Sequence, residues 1–131
     1  MIKNKVIYEA ILVGIYSILI YLILIPFEFT NNVLFYMIGF LKHFLAYNIG
    51  IETYYCNNGN ACIKDNKKRI VYSENILIES IIEGYIYIII CMIIYKIINN
   101  YTLTIFYTGF ILHIVFELTG VHNYFCKNNC L

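Results

Sequence analysis

Apolar residues run along this chain in four long blocks, separated by short clusters of polar, turn-forming residues. The first block, Val6 to Pro26 (VIYEAILVGIYSILIYLILIP), carries one charge, Glu9. At 1.5 Å per residue, about 20 residues cross a ~30 Å hydrocarbon layer as a helix. The second block, Val33 to Ile51, carries Lys42 and His43. The third, Asn75 to Ile98, carries Glu79, Glu83 and Lys96, and the fourth, Tyr101 to Val121, carries His113 and Glu117. Frequent β-branched Ile would favour strands in water. In lipid the backbone must satisfy its own hydrogen bonds, so blocks of this length are predicted to be helices. FEFTNN and NNYT predict tight turns, hence two antiparallel hairpins, and Pro26 ends the first helix. The first block is too long for the apolar core of a signal peptide and no A-x-A-like site follows it, so it is expected to be retained.

Composition sharpens this picture. The chain of 131 residues is 61% hydrophobic and 13% charged, against about 45–50% and about 25% in a soluble domain. That is more apolar surface than one small core can hide, so the expected partner is the lipid bilayer. A net charge of +1 gives no long-range attraction to nucleic acid. Basic residues set the expected orientation. Lys3 and Lys5, then Lys64, Lys67, Lys68 and Arg69, then Lys127 all fall on one side of four spans. The positive-inside rule puts that side, with both termini, in the cytosol. Lys96, alone on the other side, can snorkel.

Offsetting the chain against itself by 70 residues aligns its less common residues. Glu9 falls on Glu79, Gly14 on Gly84, Gly39 on Gly109, His43 on His113, Gly50 on Gly120, Tyr54 on Tyr124 and Cys56 on Cys126; a two-residue deletion then brings Cys62 onto Cys130. Convergence of apolar helices would match Ile and Leu rather than these types, so the chain reads as a duplicated hairpin. The expected fold is an all-α membrane protein: a four-transmembrane-helix, up-down-up-down bundle of two tandem hairpin repeats with pseudo-two-fold symmetry. Repeat 1 covers 1–62, with spans 6–26 and 33–51 and a cysteine loop over 52–74. Repeat 2 covers 75–131, with spans 75–98 and 101–121 and a cysteine tail over 122–131. Small residues favour close packing in lipid. Ala10 and Gly14, Ser80 and Gly84, and the stripes Gly39, His43, Ala46, Gly50 and Gly109, His113, Glu117, Gly120 are therefore expected to face inward, with Ile20 among the lipid-facing residues.

Two constellations could carry chemistry. The first is the intramembrane polar set Glu9, Glu79, Glu83, His43, His113 and Glu117, costly in lipid and hence functionally suspect. By depth, Glu83, His113 and Glu117 are expected to lie at similar heights, and His113 with Glu117 (i, i+4) reads as a proton-handling or metal-holding pair. The bland reading is interhelical glue, with Glu9 and Glu79 near water at span ends. A minor variant makes His43 and His113 axial haem ligands. The second is the loop cysteines Cys56, Cys62, Cys126 and Cys130. They could form two local disulfides, a cross-repeat pair or a zinc site; C-x5-C does not suit zinc, and neither loop reads C-x-x-C as a redox dithiol would. Local pairing, Cys56 with Cys62 and Cys126 with Cys130, is expected, because each hairpin would have been self-sufficient before its copy existed. Cys91, alone in the third span, reads as a packing residue.

The segments GIETYYCNNGNACIK and ELTGVHNYFCKNNC resemble the tails of small multi-span membrane proteins of nucleocytoplasmic large DNA viruses, mimivirus-like ones in particular. The second segment lacks counterparts of Gly59 and Ala61. The resemblance implies a viral membrane protein and a virally supplied cytosolic thiol oxidase, which would permit disulfides where thiols ordinarily stay reduced. It implies other viral membrane or capsid proteins as partners, and it names no activity. With no nucleotide motif and no nucleophile–base set, the chain is expected to be a non-enzymatic multi-pass membrane component, able to self-associate, with no resident cofactor or metal. The alternative is a small membrane redox or transport protein that uses the Glu/His set.

Overall fold

A computed structural model describes residues 3–63 and 75–130. Lys64, Lys67, Lys68 and Arg69, which dominate the expected orientation, lie outside the described residues. The described chain is helical: α1 (Asn4–Leu24), α2 (Asn31–Asn48), α3 (Ile51–Asn58), α4 (Ile76–Ile98), α5 (Tyr101–Leu118) and α6 (Val121–Asn129), with one 3-10 turn at Ile25–Phe27. Three helices, α1 (with its 3-10 extension), α4 and α5, are long and apolar enough to cross a membrane by length and composition. The bent pair α2 and α3 makes a fourth if taken as one span.

The four long helices form a ring in which α1 packs on α2 and α5, and α4 packs on α5 and α2. Neighbours run antiparallel. His43 of α2 meets Glu79 of α4 while Gly39, one turn earlier, lies against Glu83 and Tyr87. The principal packing is not within each hairpin but between hairpins, α1 on α5 and α2 on α4. Small residues set those approaches. A Cβ at Gly14 would come within 2.7 Å of the Phe106 ring, and one at Gly84 within 2.7 Å of the Tyr36 ring. These are the same contact made twice, 70 residues apart. Ala10, Gly14, Ser80, Gly84, Gly39, Ala46, Gly109 and His113 are buried as expected. Ile20 is not lipid-facing: it is 3% exposed and belongs to the core with Leu24, Phe35, Ile38, Tyr87 and Leu112. It continues the three-and-four spacing of Ala10, Gly14 and Ser17, so the inward stripe carries it. Cys91 packs in the same core with its Sγ 3.2 Å from Thr108 Oγ1.

Much of each cysteine segment is helix rather than loop: α3 carries Cys56 and α6 carries Cys126, while Cys62 sits in a turn after α3, Cys130 follows the end of α6, and 64–74 lies outside the described residues. Gly50 (φ 89°) and Gly120 (φ 82°) take the left-handed conformation that ends α2 and α5. The chain then turns and starts a new helix, α3 lying at 72° to α2. Gly50 and Gly120 are thus hinges rather than members of a packing stripe. The asparagines that suggested loops bond back along the helix instead: Asn57 to Thr53 O, Asn58 to Tyr54 O and Asn128 to Tyr124 O.

Candidate functional site

The hinges fold α3 and α6 across one end of the bundle, where four cysteines make a small core of their own with Tyr55, Ala61 and Phe125. The pairing is Cys56 with Cys130 (Cα–Cα 5.7 Å) and Cys62 with Cys126 (Cα–Cα 5.1 Å). Local pairing is therefore wrong, and so is the argument for it. The hairpins are not self-sufficient, because each long helix finds its main partner in the other hairpin, and that brings α3 and α6 together. The bonds also remove the four cysteines as zinc ligands.

Beneath this clasp the polar set divides into two clusters. In the first, Lys42 donates to Glu83 Oε1. His43 Nδ1 lies 2.8 Å from Glu83 Oε2, and His43 Nε2 lies 3.1 Å from Glu79 Oε2. Tyr47 donates to Glu79 Oε2 at 3.4 Å and accepts from Asn129 Nδ2 at 2.7 Å. Both nitrogens of His43 face carboxylates, so neither is left for haem iron, and the axial-ligand reading fails for this residue. Glu52, at the start of α3, adds a carboxyl that burial pushes up to about 7, against the pull of His43 and Lys42.

The second cluster gathers Glu9 of α1, His113 and Glu117 of α5 and His122 of α6. His113 Nε2 lies 3.1 Å from Glu9 Oε2, and His122 Nδ1 lies 2.7 Å from Glu117 Oε2. Asn60 reaches both carboxylates: its backbone N–H donates to Glu9 Oε1 at 2.8 Å and its side chain to Glu117 Oε1 at 2.7 Å. The two imidazole rings lie 4.5 Å apart, centroid to centroid. Burial holds the His122 imidazole below its ordinary range, although Glu117 favours its charge.

Glu83 does not join His113 and Glu117, despite the similar depth expected of them; it faces α2. Sequence reasoning missed Tyr47, Glu52, Asn60 and His122, and did not pair Lys42. A signal was present. The 70-residue offset places Glu52 on His122 and Tyr47 on Glu117, polar on polar without identity, which a search for identical residues passes over. No protein-family model, curated protein or solved structure matches this chain.

Proposed function

We propose that this chain is a four-span integral membrane protein, built by duplication of one helical hairpin, that serves as a non-enzymatic component of a viral inner membrane or a host membrane. The observation that carries the membrane reading is the outer surface of the long helices. Ile11, Leu12, Ile15, Leu19, Leu22 and Ile23 on α1 are all at least 39% exposed, and Leu77, Ile78, Ile82, Ile89, Ile93 and Ile97 on α4 are more so. In water such a belt would aggregate; in lipid it is the solvated face. The paired carboxylates and imidazoles, by contrast, gather beneath the clasp.

Duplication is supported by contacts that repeat at the 70-residue offset. His43–Glu79 corresponds to Glu9–His113, and Cys56–Cys130 corresponds to Cys62–Cys126. Ser17 bonds to Tyr87 and Tyr101 to Asn31, each to its own counterpart, as residues on a pseudo-two-fold axis would. The viral setting is carried by the resemblance of the cysteine segments, and it would supply the oxidant for disulfides on a cytosolic face. A second reading, a small redox or transport protein, is favoured by the two clusters of charge within the bundle; a redox absorbance band or proton flux in liposomes would establish it.

Alkaline carbonate extraction of membranes from expressing cells tests the main reading. The protein should stay in the membrane pellet; release into the supernatant would refute it. Labelling of single cysteines added near Lys67 and near Phe29 should mark the first from the cytosol and the second from the far side. The reverse pattern would overturn the orientation.

A further inference from the structure

The two clusters differ in one respect that bears on ligand binding. The cluster around His43 contains its own cation, Lys42, bonded to Glu83. The cluster around His113 holds two carboxylates and two imidazoles, and among the described residues no lysine or arginine pairs with Glu9 or Glu117. Two glutamates gathered away from bulk water without a fixed cation are costly. Two neutral imidazoles and two carboxylates around a divalent ion would balance that charge.

We propose that Glu9, His113, Glu117 and His122 form a binding site for a divalent transition-metal ion, with zinc the best match to a mixed imidazole–carboxylate donor set. Ligand atoms of His113, Glu117 and His122 already lie within 4.8 Å of one another, and Glu9 Oε2 is 3.1 Å from His113 Nε2. Tetrahedral zinc with bonds near 2.0–2.1 Å holds its ligand atoms roughly 3.3 Å apart, so side-chain rotation must draw the three atoms of His113, Glu117 and His122 closer, and Glu9, held against His113, must turn in with them to supply the fourth.

The outer shell is already in place. Asn60 holds the Oε1 atom of each carboxylate, leaving each Oε2 turned toward a histidine. Such hydrogen bonds to ligating carboxylates orient them and tune affinity. Asn60 is fixed in turn, because it lies between Cys56 and Cys62, both bonded to the far end of the chain. The clasp therefore positions the residue that aims both carboxylates, which ties the site to the oxidised state of the cysteines. The site needs no particular membrane orientation, so its test is separate from that of the membrane reading.

The experiment is zinc binding by the full chain in detergent with its disulfides intact, measured by equilibrium dialysis and elemental analysis, with cobalt as a spectroscopic stand-in. One ion per chain is expected, and a cobalt spectrum without a thiolate charge-transfer band. His122→Gln and Glu117→Gln should each abolish stoichiometric binding. Asn60→Ala should weaken it roughly ten- to a hundredfold, while His43→Gln should leave it intact. If the ligand variants misfold, zinc protection of the wild type against diethylpyrocarbonate decides. His113 and His122 should be shielded and His43 should not. No bound ion, affinity unchanged in His122→Gln, or equal protection of all three histidines would overturn the proposal.

Discussion

The cluster around His43 holds a lysine, and the cluster around His113 does not. Both lie under the same clasp, and both keep a histidine–glutamate contact of 3.1 Å between paired long helices. Around that shared pair the surroundings diverge. At the positions matching Lys42 and Glu83 the second cluster has Leu112 and Val13, so one ion pair has no counterpart. At the positions matching Glu52 and Tyr47 it has His122 and Glu117. One cluster is closed by an internal salt bridge; the other is an assembly of ligand atoms without a fixed cation. The lesson is that the His–Glu pair alone is compatible with structural glue, and the residues around it decide whether a site can take a ligand.

The largest expected effect comes from breaking the internal pair. Lys42→Leu leaves Glu83 buried without its ammonium and should cost about 3–5 kcal/mol in detergent melting. Lys42→Leu with Glu83→Val, which writes the second cluster's residues into the first, should restore most of that loss. A double variant as unstable as the single would mean that the two surroundings are not interchangeable. Next comes the clasp that covers both clusters. Its bonds close sequence separations of 74 and 64 residues, for which chain entropy alone allows about 4 kcal/mol for the first bond and less for the second; measured disulfides commonly return less, so replacing all four cysteines by Ser should cost about 2–5 kcal/mol. Loss of one bond alone should cost less, because the other still joins the two ends.

The packing beside each cluster should respond unequally to one methyl group. At Gly39 a Cβ would meet Glu83 O at 2.7 Å, a backbone atom; at Gly14 it meets first the Phe106 ring, at 2.7 Å. Both Ala variants should be destabilised by about 1–3 kcal/mol, Gly39→Ala the more, because a ring can tilt and a helical carbonyl cannot. Equal melting shifts would contradict that ranking. The smallest effect concerns Glu52, the counterpart of His122. Its folded-state pKa, raised to about 7 by burial, means that the native state holds a proton the unfolded chain has released between about pH 4.5 and 7. Its contribution to stability is therefore intact below that window and is lost as pH rises through 7. Glu52→Gln should raise the melting temperature by a few degrees at pH 8 and leave it unchanged at pH 4. An equal gain at both would point to packing rather than charge.

Much of this was legible from the sequence. Four apolar blocks marked the four long helices within a few residues, because length and hydropathy dominate there. The offset of 70 paired Glu9 with Glu79 and His43 with His113. What stayed hidden was which hairpin supplies each partner. Glu79 and His43 lie 36 residues apart, Glu9 and His113 104 apart, and only the packing of α1 on α5 and α2 on α4 joins them. The helicity of TYYCNN and NYFCKNN was hidden because Asn reads as a turn former until its side chain is seen bonding to the carbonyl four residues back. Ile20 was misplaced by residue type when its spacing from Ser17 put it inside.

The two hairpins pack chiefly across one another, which forces the cysteine segments to meet. Lys-C digestion of unreduced protein tests it most directly, because it cuts after Lys42, Lys64 and Lys127 and so separates Cys126 from Cys130. Segment 43–64, which carries Cys56 and Cys62, should appear bonded both to the segment ending at Lys127 and to segment 128–131. Hydroxylamine cleavage between Asn58 and Gly59 should then place Cys56 with Cys130 and Cys62 with Cys126. Segment 43–64 closed on itself, with 128–131 bonded only to the segment ending at Lys127, would mean that each hairpin closes on itself and that the packing across hairpins is wrong.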